Sequence, residues 1–353
     1  MKYLILADGT VFQGKGIGAN GDAIGEVVFN TSMVGYMETL TDPSYYGQLV
    51  AQTFPLIGNY GKIEVDVESK KSYVSGYIVR ELCDEGSNFR KEGELNDFLI
   101  SQDISGICDI DTRQLTRIIR DKGVMNGMIT DNLKRFDEKL NRIRNYKIQH
   151  AVISTTVEKV EEIGDGNITI AVWDFGATNS LINEFVNRGA KVIRVPSFAT
   201  AEEILALNPD GIVLSSGGGD PAENVTIISQ LKKLNAKKIP TFAIGLGHQL
   251  LAIAMGGKTR KLKYGHRGAN QTVKDSLTGR TYITTQNHGY AVVSKSIPEE
   301  VGTIRMINAN DKTVEGITYN SFPAFSVQFI PGGGSTNTDY LYDMFIDMVR
   351  GNK

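Results

Sequence analysis

From Ile168 onward the chain alternates apolar runs with amphipathic runs, and this alternation leaves few folds open to it. ITIAVWDF reads as a strand, and SLINEFVNRGA as a helix ending at Gly189. KVIRVP and AEEILALN repeat the pair. GIVLSS follows, then the loop GGGDPAEN and a helix through Leu231, and then PTFAIGL with HQLLAIAMGG. Continuous apolar strands separated by helices predict a mainly parallel sheet flanked by helices on both faces. Ligands of such sheets bind at the carboxyl ends of the strands. The tail adds the strand pieces TYITTQN and AFSVQFI and a closing helix, DYLYDMFIDMVR.

Residues 1–150 are patterned differently. Short strands at Tyr3–Leu6, Glu26–Asn30 and Val74–Val79 lie between Gly and Asp turns. Helical patterns cover Glu94–Ser101 and Thr112–Lys122, the second with Leu115, Ile118 and Ile119 on one face. Residues 151–167 contain the polar run TTVEKVEEIGDGN and read as a linker. The predicted class is therefore α/β, with a β-rich N-terminal domain (1–150), a linker (151–167) and a parallel-sheet domain (168–353). A length of 353 residues suits two domains.

Composition excludes several functions. Lys plus Arg number 38 against 40 for Asp plus Glu, so no basic footprint for nucleic acid or anionic membrane exists. No apolar run reaches the about 18 residues of a membrane span, and the apolar start before Asp8 is too short for a secretory signal. Two cysteines, Cys83 and Cys108, suit a reducing compartment, and a cytoplasmic location is expected. The loop GGGDP lacks the Lys-Ser/Thr ending of a phosphate loop, and no metal-ligand spacing stands out, so no metal is expected.

The chemistry should sit in the run PTFAIGLGHQLL, residues 240–251, where an apolar strand meets a sharp turn and then a helix. Such an elbow presents a nucleophile above a helix N-terminus. The turn residue is Gly245, which has no side chain to attack with. The run resembles the class I glutamine amidotransferase signature G-I-C-L-G-H-Q-L-L, with Gly245 at the cysteine position and Ala243 at the first glycine. The second signature of that family is a strand ending in H-P-E. It matches residues 326–332, SVQFIPG, with Ile330 at the base and Gly332 at the orienting carboxylate.

Other runs narrow the resemblance to the small subunits of carbamoyl phosphate synthetase. They are FNTSMVGYME (29–38), TDPSY (41–45), SNFR (87–90), DIDTRQLTR (109–117), YGHRGAN (264–270) and QNHGY (286–290). The resemblance implies a class I amidotransferase-like C-terminal domain, with the N-terminal domain docking on a large subunit as a heterodimer. That large subunit would carry the ATP-dependent steps on bicarbonate, ammonia and carbamate, together with any metal, so this chain needs no cofactor of its own. The product would serve arginine and pyrimidine synthesis. Glutamine would contact Ser44, Gly217, Gly219, Leu246, Gln249, Asn287, Gly289 and Tyr290.

Departures from the family pattern gather in the site. Besides Gly245, Ile330 and Gly332, they are Ser216 and Gly218 (family Asn and Pro) and Thr178 (family Lys). All three triad positions lack a reactive side chain, so glutamine hydrolysis is predicted absent. The chain then reads as a pseudoenzyme, a structural or regulatory partner of an ammonia-using large subunit. Two rival readings stay open: a working glutaminase with an unrecognised constellation, and a glutamine-binding regulatory module.

Possible substitutes are few. His248, on the first turn after the elbow, reads as a packing or capping residue. His266 and His288 could line the cleft, but neither matches the base position, and His150 falls in the linker. Cys108 reads as a buried structural thiol, and Cys83 lies near a turn. Ser215 and Ser216 would need a positioned base to act as nucleophiles. The glycine runs 217–219 and 332–334 read as loose for a preorganised site.

Overall fold

A computed structural model describes residues 1–333 and 336–351. Two compact units divide the chain, Met1–Ala151 and Val152–Lys353.

Unit 1 contains β1 (Lys2–Leu6), β2 (Val11–Gly18), β3 (Ala23–Asn30), β4 (Gln48–Gln52), β5 (Leu56–Ile57), β6 (Gly76–Ile78), β7 (Glu81–Leu82), β8 (Ser105–Cys108) and β9 (Met125–Thr130). Seven of these close a barrel in the order β1-β2-β8-β6-β4-β3-β9, while β5 pairs with β7. Leu4, Val27, Leu49, Ile78, Ile107 and Ile129 build one buried cluster of this unit. The helix Thr112–Lys122 adds Leu115 and Ile119 to that cluster, and Ile118 packs against it half-buried. The helix starts where Asp111 accepts from the Gln114 N–H and ends at Gly123, with φ 95°. The predicted helix at Glu94–Ser101 forms over Leu95–Ser101, and the strand at Val74–Val79 shortens to Gly76–Ile78.

Unit 2 contains β10 (Glu161–Ile163), β11 (Ile168–Asp174), β12 (Ala190–Pro196), β13 (Gly211–Leu214), β14 (Thr241–Ile244), β15 (Thr259–Asp275), β16 (Thr281–Val292), β17 (Gly302–Asn308), β18 (Val314–Tyr319) and β19 (Ala324–Val327). They form one ten-stranded sheet, β10-β12-β11-β13-β14-β19-β18-β17-β15-β16. The run β12-β11-β13-β14-β19 is parallel, and the pairs beyond it are antiparallel. Both faces are covered, as continuous apolar strands require. Ala171 and Trp173 join the helices Ala201–Ala206, Val225–Asn235 and Leu246–Ala254 on one face. Ile170 and Val172 join the helices Asn179–Asn187 and Tyr340–Gly351 on the other.

The stretch expected to be a linker is folded. It holds the short helix Ala151–Thr155 and the strand β10, which pairs antiparallel with β12. Val152 is buried in the unit 2 core, and Val157 N–H donates to Asp174 Oδ2 at 2.8 Å. One buried carboxylate thus anchors a segment whose composition is polar. The antiparallel strands β15, β17 and β18 were not predicted. Among the described residues, no helix is long and apolar enough to cross a membrane.

Candidate functional site

The parallel strands of unit 2 end together, and the loops that follow hold the predicted site. β14 and β19 run in register, Ile244 opposite Val327, so Gly245 and Gln328 leave the sheet side by side. Gly245 N–H donates to the Val327 carbonyl at 2.9 Å. Its φ of 58° and ψ of −112° place it in a region that side-chain-bearing residues adopt only under strain. A Cβ built on Gly245 would lie 3.2 Å from Ser216 Cβ. The elbow conformation is therefore kept where no side chain remains.

Two amide side chains tie the elbow to β16. Gln249 Nε2 donates to the Tyr290 carbonyl at 2.8 Å and to Gln328 Oε1 at 2.9 Å. Gln328 Nε2 reaches the Gly245 carbonyl at 3.4 Å. Gly217 is held more tightly than a loose loop would be. A Cβ there would run into the Phe175 carbonyl oxygen and lie 3.0 Å from Leu246 Cδ2. This close approach is one that only glycine permits at position 217. Gly219 has φ 90°.

The structure thus brings Gly217 next to Leu246, and Gln249 next to Tyr290, with Asn287 and Gly289 on the same strand. Ser44 belongs to unit 1, where it is buried on the turn Pro43–Tyr45 and its N–H donates to Asp42 Oδ1 at 2.8 Å. Thr178 starts the helix Asn179–Asn187, its hydroxyl accepting from the Leu181 N–H.

At the positions aligned with a base and its orienter, the side chains are aliphatic or missing. Ile330 is half-buried, and its N–H donates to the Thr285 carbonyl at 2.9 Å. Gly332 has φ 72°, and a Cβ there would lie 2.7 Å from Asp339 Oδ1. Burial raises the Asp339 carboxyl above the usual range, and its Oδ1 has no hydrogen-bond partner. Gly334, the last glycine of the second run, lies outside the described residues.

His248 is fully buried, with Nδ1 2.7 Å from Ser326 Oγ and no partner for Nε2. Burial pushes its pKa down to about 3, so it stays neutral. It lies on the first turn of the helix Leu246–Ala254 and packs toward β19. Ser215 Oγ accepts from the Phe175 N–H and donates to the Ser216 carbonyl, both at 2.8 Å, which marks a structural hydroxyl. Cys108 is buried in unit 1, Cys83 is half-buried and His150 is exposed.

Comparison with known proteins agrees with this geometry. Residues 4–129 match the family described as carbamoyl-phosphate synthase small chain, CPSase domain. Residues 171–348 match glutamine amidotransferase class-I. The carbamoyl phosphate synthase small chain of Clostridium perfringens is 46% identical over 97% of this chain and 98% of its own length. That of Oceanobacillus iheyensis is 44% identical over 100% of this chain and 97% of its own length. The chain belongs to the carbamoyl phosphate synthase small-chain family. Within this family member, the class I amidotransferase region carries the elbow and both amide supports, and glycine occupies the elbow itself.

Sequence reasoning missed three parts of this arrangement. Gln328 lies inside the run SVQFIPG, but only the fold shows its amide reaching Gly245. Gln286 and Glu315 meet His266 and His288 in a buried polar cluster assembled from β15, β16 and β18. Local spacing carries no signal for a cluster drawn from three strands. His266 and His288 are legible in the sequence as histidines that could line the cleft, and their partners are not.

Proposed function

We propose that this chain serves as the small-chain partner of a carbamoyl phosphate synthase large chain and does not itself hydrolyse glutamine. The observation that carries this reading is the bare elbow at Gly245, with φ 58° and no side chain, opposite a strand that ends in Ile330 and Gly332. Amide hydrolysis by this route needs a nucleophile, a base to activate it and a group to orient the base. The nearest imidazole, His248, is sealed, neutral and bonded to Ser326. In this proposal the large chain uses free ammonia, and the product enters arginine and pyrimidine synthesis in the cytoplasm. The small chain contributes docking and adjustment of activity. ATP, bicarbonate and the metal of the ATP-dependent steps belong to the large chain.

The test is co-expression with the large chain. Carbamoyl phosphate formation is expected with ammonium and not with glutamine. Glutamine-driven synthesis at a rate matching ammonium would sink the proposal and restore the working-glutaminase reading.

A second reading has its own support. The wall formed by Gln249 and Tyr290 is held in place by hydrogen bonds although the triad is gone. On this reading unit 2 takes glutamine, through Gly217, Gly219, Leu246, Gln249, Asn287, Gly289 and Tyr290, as a regulatory ligand. Calorimetric binding of glutamine without ammonia release supports it, and no heat at millimolar glutamine removes it.

A further inference from the structure

The cluster formed by His266, His288, Glu315 and Gln286 lies behind the wall just described, and its hydrogen bonds do not balance. Every member is at least nine-tenths buried, with Glu315 at 0% exposure. His288 Nδ1 lies 2.7 Å from the Tyr290 carbonyl, which can only accept, so this nitrogen carries the hydrogen. His266 Nε2 lies 2.9 Å from Asp311 Oδ2. Asp311 accepts through its other oxygen from the Thr313 N–H and hydroxyl, as a carboxylate does, so His266 Nε2 also donates. The Gln286 amide is oriented by its NH2 group, which donates to Glu315 Oε2 at 3.0 Å and Thr284 Oγ1 at 3.1 Å. The Thr284 hydroxyl spends its own hydrogen on the Gln271 carbonyl.

Four lone-pair atoms are then turned on one another. Gln286 Oε1 is 3.0 Å from both His266 Nδ1 and His288 Nε2. Glu315 Oε1 is 3.5 Å from His266 Nδ1 and 4.0 Å from His288 Nε2. The donors facing them are weak. Asn308 Nδ2 stands 3.5 Å from His266 Nδ1, and the Thr313 hydroxyl, 3.4 Å from Glu315, is already committed to Asp311 at 2.7 Å. A hydrogen on His266 Nδ1 would relieve one side only, leaving Gln286 Oε1 3.0 Å from both imidazole nitrogens with a single hydrogen between the three atoms.

We propose that His266 Nδ1, His288 Nε2, Glu315 Oε1 and Gln286 Oε1 bind a divalent transition-metal ion of the zinc type. The spacing fits, because a tetrahedral ion with bonds of about 2.1 Å sets its ligand atoms about 3.4 Å apart. Both histidines are already held from behind as metal-ligating histidines are, one by a carboxylate and the other by a backbone carbonyl. A 2+ ion would be neutralised by Glu315 and Asp311 together. The ion would clamp β16, which carries Asn287, Gly289 and Tyr290, to β15 and β18. This inference is independent of whether the elbow is active.

The test uses the full-length chain, freed of metal with EDTA and titrated with zinc. One equivalent is expected by elemental analysis. At about a hundred-fold excess over Kd, Tm should rise by roughly 5–10 °C. X-ray absorption of the wild-type zinc protein should show two imidazoles and oxygen ligands at about 2.0–2.2 Å. Glu315→Gln should abolish the Tm shift. Should that variant fail to fold, Asp311→Asn, at a partly exposed position, should weaken zinc binding about 10–100-fold. A metal-free chain whose Tm ignores zinc overturns the proposal. Zinc that binds with unchanged affinity in Asp311→Asn, or with an absorption spectrum lacking imidazole, also overturns it.

Discussion

The two units treat the polar residues of their family-defining runs in opposite ways. In unit 1, Asn30, Tyr36 and Tyr45 of the first two runs are buried and partnered. Asn30 Nδ2 donates to Tyr45 Oη at 2.8 Å and contacts Thr39 Oγ1, while Tyr36 Oη donates to the Gly61 carbonyl at 2.7 Å and stacks on Tyr60. In unit 2 the two runs that define the amidotransferase site end in Gly245, Ile330 and Gly332, which offer backbone and hydrocarbon. Yet the supports survive there, with Gln249 and Gln328 gripping an elbow that presents nothing. The contrast teaches that the polar groups shaping a fold and those breaking a bond are separable within one family member.

The largest test of this contrast is kinetic. Removing a whole triad costs about 10⁶-fold in kcat in a well-studied protease, so the native chain should release no ammonia from glutamine above background. Gly245→Cys alone should change nothing, because Ile330 leaves the thiol without a base. The triple change Gly245→Cys, Ile330→His, Gly332→Glu should give slow but measurable turnover. Robust ammonia release from the single variant would break the comparison, since some unnoticed group in unit 2 would then be acting as base.

Two effects of opposite sign come next, because burial acts on an imidazole in unit 2 and on carboxylates in unit 1. The folded pKa of His248, about 3, lies below its ordinary value, so the folded state binds fewer protons in the window between. Its contribution is intact above pH 6.5 and is lost as pH falls. Unit 2 should lose about 2–3 kcal/mol between pH 6.5 and 4.5, at 1.36 kcal/mol per unit. Chemical denaturation of His248→Gln should show that slope flattened, and an unchanged slope would mean that His248 is accessible to protons.

In unit 1, burial raises Glu38 to about 7, and Asp42 to about 6 despite its hydrogen bonds with Ser44. Here the folded state binds more protons, so stability falls as pH rises from about 4.5 to 7. Glu38→Gln should therefore stabilise the protein by about 1–2 kcal/mol at pH 8 and not at pH 4. Equal gains at both pH values would assign the effect to packing. A change of similar or smaller size is expected from Gly245→Ala. The positive φ and the approach to Ser216 should cost about 1–3 kcal/mol in an unfolding titration. A stability-neutral alanine would mean that the elbow relaxes freely.

The sequence disclosed the parallel half of unit 2 because its strands are short continuous apolar runs, each followed by a helical pattern. It hid the antiparallel half for a physical reason. β15 is 17 residues long but polar, and its pairing with β16 shifts register between Lys261 and His266 and again between Gly268 and Gln271. Those irregularities erase the two-residue alternation that reveals a strand. The site divides along the same line. Gly245, Ile330 and Gly332 sit inside local runs and could be read directly. The amide relay and the imidazole cluster join residues that only the folded sheet makes neighbours. The polar stretch 151–167 misled because its anchor, Asp174, lies outside it and is buried.

The three-residue strand at one margin of the ten-stranded sheet has a consequence for the life of the protein in a crowded solution. Behind it lies β12, a seven-residue and largely apolar strand whose free side would invite another copy to add on. β10 occupies that side with Glu161 and Glu162, which pair with Arg194 and Lys191. Being short and rimmed with charged side chains, it offers newcomers little to dock against. A few residues that first look like slack between domains thus act as a guard against fibril-like stacking.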